Sequence, residues 1–240
     1  MNRRNAKIGN PKSLSAVMAH LKSLADPRQL AGMARFGIRV DKAFGGIGVP
    51  VLRKLGREIG KNHKLAQELW NSGIHEDRHL AAMIDEPARV TEAQMERWVK
   101  QFHSWDVCDG CCLNLFDKTP FAHRKALEWS KRKDEFVKRA GFSLMAVLAV
   151  HDRNTGDKIF IRYLPSIKRE STDERNFVKK AVNWALRQIG KRTLRLNRVA
   201  IKTAEEIRKL DSRSARWIAA DALRELRSEA VQQRLRGMLK

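Results

Sequence analysis

The sequence predicts an all-α protein built as an array of antiparallel helical pairs. Three observations carry that expectation. Apolar residues recur at helical spacing in segment after segment, the connections between segments are short, and no alternating hairpin pattern interrupts them. About a dozen short helices suit a solenoid of stacked helical hairpins better than a four-helix bundle, whose helices are fewer and longer. Curvature in such a stack produces an extended concave surface, and a basic one is a natural cradle for a duplex.

Each element follows from local signals. Residues 1–12 form a basic tail, after which a single domain is expected over 13–240. Leu14, Val17, Met18, Leu21 and Leu24 mark the first helix. Pro50 opens another, with Val51, Leu52, Leu55 and Ile59 apolar and Gly60 as its stop. Leu65, Leu69 and Trp70 form the face of the next, ended by Gly73, and Leu80, Met83 and Ile84 mark one more before Pro87. Thr91-Glu92-Ala93-Gln94 reads as a capping box leading to Met95, Trp98 and Val99. Thr119-Pro120 reads as an N-cap with proline at the first helical position. Asp134 leads into Phe136, Val137, Phe142, Met145 and Leu148. Ile159, Phe160, Tyr163, Leu164 and Ile167 recur as a helix rather than a strand, and Phe177 to Ile189 make a long amphipathic helix stopped at Gly190. Ile201 with Ile207, then Trp217, Ile218 and Leu223, then Val231 and Leu235, complete the set. Trp98, Trp129, Trp184 and Trp217 recur loosely, with a period too irregular to define repeats.

Charge bounds the partner. There are 49 Lys and Arg against 27 Asp and Glu, a net +22 at pH 7, while 42% hydrophobic content is globular. Many of these cations line solvated helix faces. The sum still repels itself, and such an excess calls for an anionic partner. It also argues against a plain protein-interaction scaffold. No stretch is apolar enough to span a bilayer, and residues 1–7 are not followed by an apolar signal segment, so a cytoplasmic protein with nucleic acid as partner is expected. The three cysteines, Cys108, Cys111 and Cys112, crowd into one segment. With His103 they lack the paired spacing of a zinc site, so they read as small hydrophobes of a core. No metal and no cofactor are expected. The absence of a long apolar seam favours a monomer.

Three segments carry chemistry. In 102–109, Trp105 and Asp109 stand one helical turn apart, so an indole and a carboxylate share a face. In 137–142, Lys138 and Arg139 form a positive pair inside an otherwise apolar helix. In 177–192, Lys180, Trp184, Arg187 and Lys191 fall along a stripe apart from the apolar face, with Lys179 beside it. Taken singly, each allows a bland reading. Trp105 reads equally as core, Trp184 as interlayer packing, and Asp109 as a surface residue or the partner of a buried arginine such as Arg139.

The segments Ser-Trp-Asp-Val-Cys-Asp at 104–109, Val-Lys-Arg-Ala-Gly-Phe at 137–142 and Phe-Val-Lys-Lys-Ala-Val-Asn-Trp-Ala-Leu-Arg at 177–187 resemble, in this order, the bacterial DNA alkylation repair glycosylases of the AlkD type, which are built from HEAT-like helical repeats. The resemblance in general organisation runs over residues 35 to 225. It implies a HEAT-like α-solenoid with a basic concave groove. It further implies Asp109 as the catalytic carboxylate, Trp105 and Trp184 as indoles embracing the lesion's sugar and backbone, and Arg139 as partner of phosphate and carboxylate. Lys138, Lys179, Lys180, Arg187 and Lys191 would contact the DNA backbone. One departure is that Ser104 precedes a single tryptophan where the family often has two. The activity implied is that of a monofunctional DNA glycosylase in base excision repair. Its substrate would be duplex DNA carrying cationic N3- or N7-alkylated purines, hydrolysed at the N-glycosidic bond without flipping the base into a pocket. The runner-up is a non-catalytic helical-repeat protein that holds DNA or RNA; a carboxylate facing phosphates would gain it nothing.

Overall fold

Helix follows helix along the chain, joined by short turns. Residues 13–38 and 41–237 are described in a computed structural model, and among them there are fifteen α-helices and no strand. The basic tail at 1–12 lies outside the described residues. The helices group into two compact units, Met1–Thr91 and Glu92–Lys240.

The first unit contains α1 (Leu14–Leu24), α2 (Leu30–Arg35), α3 (Val49–Ile59), α4 (His63–Ser72) and α5 (His75–Ile84). Its core is the apolar set read from periodicity, including Val17, Leu21, Leu52, Leu55, Leu65, Leu69, Trp70 and Leu80. Pro50 lies in the first turn of α3, where its missing N–H leaves no helical bond unmade. The Asn62 side chain caps α4 by accepting from the Leu65 amide at 3.0 Å, and Gly73 ends it in the left-handed conformation, φ 74°.

The second unit runs from α6 (Glu92–Val99) through α7 (Trp105–Asn114), α8 (Ala122–Trp129), α9 (Glu135–His151), α10 (Asp157–Ile161), α11 (Leu164–Glu170), α12 (Asn176–Gly190), α13 (Leu194–Arg208) and α14 (Arg213–Leu226) to α15 (Glu229–Gly237). Thr119 and Pro120 do not open α8, contrary to the sequence expectation. The Thr119 hydroxyl donates to the Phe116 carbonyl at 2.8 Å, closing a preceding 3-10 turn, and the helix begins at Ala122. The competing local bond wins because a threonine hydroxyl serves a turn as readily as a helix start.

The centre of this unit is α9. Its residues from Val137 to Ala149, Lys138 excepted, are all buried, as expected of a helix that is apolar nearly all round. It packs against α7, α8 and α12, and α12 packs in turn on α14. Gly141 lets α8 come close: a Cβ there would lie 2.4 Å from the Ser130 amide nitrogen. The packing has a regular register. Arg139 bonds Phe177, and Asn183 bonds Asp221, each pair 38 residues apart in α9–α12 and α12–α14. Lys168 and Glu206 repeat the same step of 38 between α11 and α13. A constant offset means that α9, α12 and α14 run parallel, separated by returning helices. The repeat that the tryptophans do not mark is therefore carried by the backbone: Trp98 and Trp129 are fully buried, whereas Trp217 is exposed.

Candidate active site

The parallel register brings the first turns of α7, α9 and α12 together. Cys108 and Cys112 of α7 direct their thiols at the Phe136 and Ala140 carbonyls of α9, both at 3.6 Å. All three cysteines are buried, and burial together with Cys108 pushes the Cys112 thiol well above its usual range. With that face turned inward, Asp109 one position on falls at the edge of the α7–α9 seam, its side chain one-fifth exposed.

There it meets Arg139. The guanidinium donates from Nε to Asp109 Oδ1 at 3.0 Å and from Nη2 to Oδ2 at 2.6 Å, the bidentate fork that matches a carboxylate. Its remaining nitrogen, Nη1, donates to the Phe177 carbonyl of α12 at 2.6 Å. The Ser143 hydroxyl, one turn along α9, donates to Asp109 Oδ1 at 2.7 Å. Burial opposes the Arg139 charge, yet Asp109 beside it more than compensates and holds the guanidinium above its usual pKa. The Trp105 ring lies over the same guanidinium, 5.8 Å from ring centroid to Cζ. Trp105, Asp109 and Arg139 are thus assembled as one group. Phe177 stacks on Phe136 with centroids 5.5 Å apart, and Trp184 stands two turns further on the same face of α12, half-buried.

This geometry is a preorganised carboxylate. Three donors fix its two oxygens, two on Oδ1 and one on Oδ2, so Oδ2 keeps acceptor capacity. The arginine side chain is 7% exposed and the carboxylate 20%, so the carboxylate is the more accessible partner of the pair.

The cations of the three segments divide by environment. Lys138 turns away from Asp109 to pair with Glu170, and with Asp173 at 3.3 Å. Arg187 bridges Asp221 and Glu225 of α14 at 3.2 and 2.9 Å, and Lys191 joins Glu225 at 2.7 Å. Lys179 lies 5.3 Å from the Trp217 ring centroid, and Lys180 is exposed. Two groups at the site went unread in the sequence. Ser143 was hidden as a small residue in an apolar run, its one clue the i+4 spacing from Arg139. The Phe177 carbonyl has no side-chain signal at all.

The family model for DNA alkylation repair enzymes matches residues 17–233. The chain belongs to the DNA alkylation repair enzyme family. No curated protein matches the sequence significantly. Among solved structures, one described as a new family of proteins related to the HEAT-like repeat DNA glycosylases, with affinity for branched DNA structures, is similar in fold. Its TM-score is 0.73 at 20% identity, covering 89% of this chain and 96% of that one. The expected HEAT-like all-helical architecture is therefore that of this DNA alkylation repair family member. Among its described residues no helix is long and apolar enough to cross a membrane.

Proposed function

We propose that this protein is a monofunctional DNA glycosylase acting on cationic N3- or N7-alkylated purines in duplex DNA. The observation that carries the reading is Asp109, fixed by Arg139 and Ser143, more accessible than the arginine it pairs with, and beside an indole. An alkylated purine already bears positive charge. Its C1′–N bond therefore breaks with the electron pair going to a base that leaves neutral, and no general acid is needed. The positive charge passes to the sugar as an oxocarbenium ion. Asp109 would stabilise that cation as the negative end of its pair with Arg139, and the acceptor capacity left on its Oδ2 would orient the water that bonds to C1′ and take up its proton. Trp105 and Trp184 would place aromatic faces against the developing charge and the sugar. Lys179 and Lys180 would hold the backbone, whereas Arg187 and Lys191, paired with Asp221 and Glu225, would act on the α12–α14 packing and Lys138 through its ion pairs on the α9–α11 packing. Chemistry of this kind reads lability rather than base edges, so no pocket for a flipped base is required. No metal or cofactor is needed, and the expected setting is a cytoplasmic monomer on DNA.

The competing reading is a DNA-binding protein without turnover, in which the Asp109–Arg139 pair is purely architectural. Base release separates the two. Duplex DNA containing 7-methylguanine is incubated with the full chain, and free base is followed. Release by the wild-type protein, lost in Asp109→Asn while duplex binding persists, supports the glycosylase. Binding without release from any N3- or N7-alkylpurine overturns it.

A further inference from the structure

Trp217 is the most exposed of the tryptophans among the described residues. Trp98 and Trp129 are fully buried, but Trp217 is 42% exposed on α14. It lies on a stripe with Arg213 and Arg216, which are exposed. Across the parallel α12–α14 seam the Lys179 ammonium stands 5.3 Å from the ring centroid, and exposed Lys180 follows on α12. The nearby carboxylates are already committed. Asp211 pairs with Arg216 at 3.1 Å, and Glu174 accepts from the Ser212 hydroxyl and the Ser214 amide at 2.9 and 3.1 Å. What remains is an open aromatic face among cations on the helix next to the one that carries Trp184.

We infer that Trp217, with Lys179 and Arg213, is a stacking platform for an unpaired nucleotide of a DNA strand that departs from the bound duplex. Inside a duplex both faces of each base are covered by neighbours, so an indole gains nothing by approaching them. A base released from the stack offers its π-face to any aromatic, whatever its sequence, while its phosphates meet the ammonium and guanidinium groups. Lys179 is well placed to leave the ring for a phosphate once the base covers the indole. The inference rests on the reading of this chain as a DNA-binding protein and adds a second kind of DNA to it.

The test uses the full chain, Trp217→Ala and Trp217→Phe, with two probes: a blunt duplex, and the same duplex carrying a single-stranded oligothymidine tail. Binding is measured by fluorescence anisotropy, with circular dichroism melts to confirm folding. The wild-type protein is expected to prefer the tailed probe. Trp217→Ala should weaken tailed binding about tenfold, leave blunt binding at its wild-type value, and be partly rescued by phenylalanine. Equal wild-type affinity for the two probes, or an equal loss on both in Trp217→Ala, overturns the platform while leaving duplex binding intact. Failure of the wild-type protein to bind either probe overturns the underlying DNA-binding reading instead.

Discussion

Asp109 and Arg139 stand thirty residues apart in the chain and meet through two hydrogen bonds, of 3.0 and 2.6 Å, across the α7–α9 seam. The carboxylate cannot rotate without breaking both, so its two oxygens are held in one direction. Asp109→Asn keeps the shape and one acceptor oxygen while removing the charge. Base release from 7-methylguanine DNA should fall about a hundredfold or more, as when a preorganised transition-state contact is removed, with duplex affinity held within a few-fold. Single-turnover base release alongside binding measures the two separately.

Arg139→Met removes the other half of the pair, leaving Asp109 with only the Ser143 hydroxyl and taking away the guanidinium donor of the Phe177 carbonyl. Breaking a largely buried pair from one side costs about 3 kcal/mol. Urea unfolding should show a lower midpoint with an unchanged slope, and base release should fall with it. A variant as stable as the wild-type protein would mean that the pair holds nothing together.

Gly141→Ala tests the close approach behind the site. The new Cβ would stand 2.4 Å from the Ser130 nitrogen and 2.9 Å from the Ala126 carbonyl, backbone atoms that cannot swing aside. Overpacking of this kind costs about 1–3 kcal/mol. Because α9 carries Arg139, the shift that relieves the clash should also loosen the Asp109 fork, lowering both the melting temperature and the rate of base release.

Lys180 and Lys138 are both lysines in the candidate segments, but their surroundings differ. Lys180 is exposed and makes no ion pair among the described residues, whereas Lys138 is held by Glu170 and Asp173. Lys180→Ala should reduce the slope of log affinity against log salt by about one and leave stability unchanged. Lys138→Ala should do the opposite, lowering stability while keeping the slope. Salt titrations of duplex binding and thermal melts distinguish them.

In the first unit, Asp77 is fully buried and its carboxyl is pushed up to about 6 by burial and by Glu76, against the Ser72 hydroxyl that donates to it at 2.7 Å. A raised acid holds its proton longer in the folded state than in the unfolded one. Its contribution to stability is therefore complete below the ordinary value of 3.8 and is lost as pH rises through about 6. Asp77→Asn cannot ionise, so it should gain on the wild-type protein by about 3 kcal/mol between pH 4 and pH 8. Urea unfolding at the two pH values reads the difference.

How far the site was legible varies from residue to residue. The spacing of Trp105 and Asp109 was enough to place them on one face, and the inward cysteines followed from the same turn. Arg139 was readable as a charge stranded among apolar neighbours, which needs a carboxylate near it. The fates of Lys138, Arg187 and Lys191 were not readable, because their partners Glu170, Asp173, Asp221 and Glu225 lie 32 to 38 residues away on other helices. Trp217 went unread for the same reason: as part of an apolar helix face it looks like core, and only its neighbours leave it outside.

Interactions between residues three and four apart are written in the chain itself, and they determined the all-helical class, most helix limits, the buried faces and the pairing of indole with carboxylate on α7. Which helix lies beside which depends on how ridges of one fit the grooves of another, and on glycines such as Gly141 that let backbones close. That packing sets the 38-residue step, and the step alone decided that the Phe177 carbonyl would receive Arg139 and that Arg187 would be spent on α14. Helical periodicity is a local property, whereas register is a collective one of the whole stack.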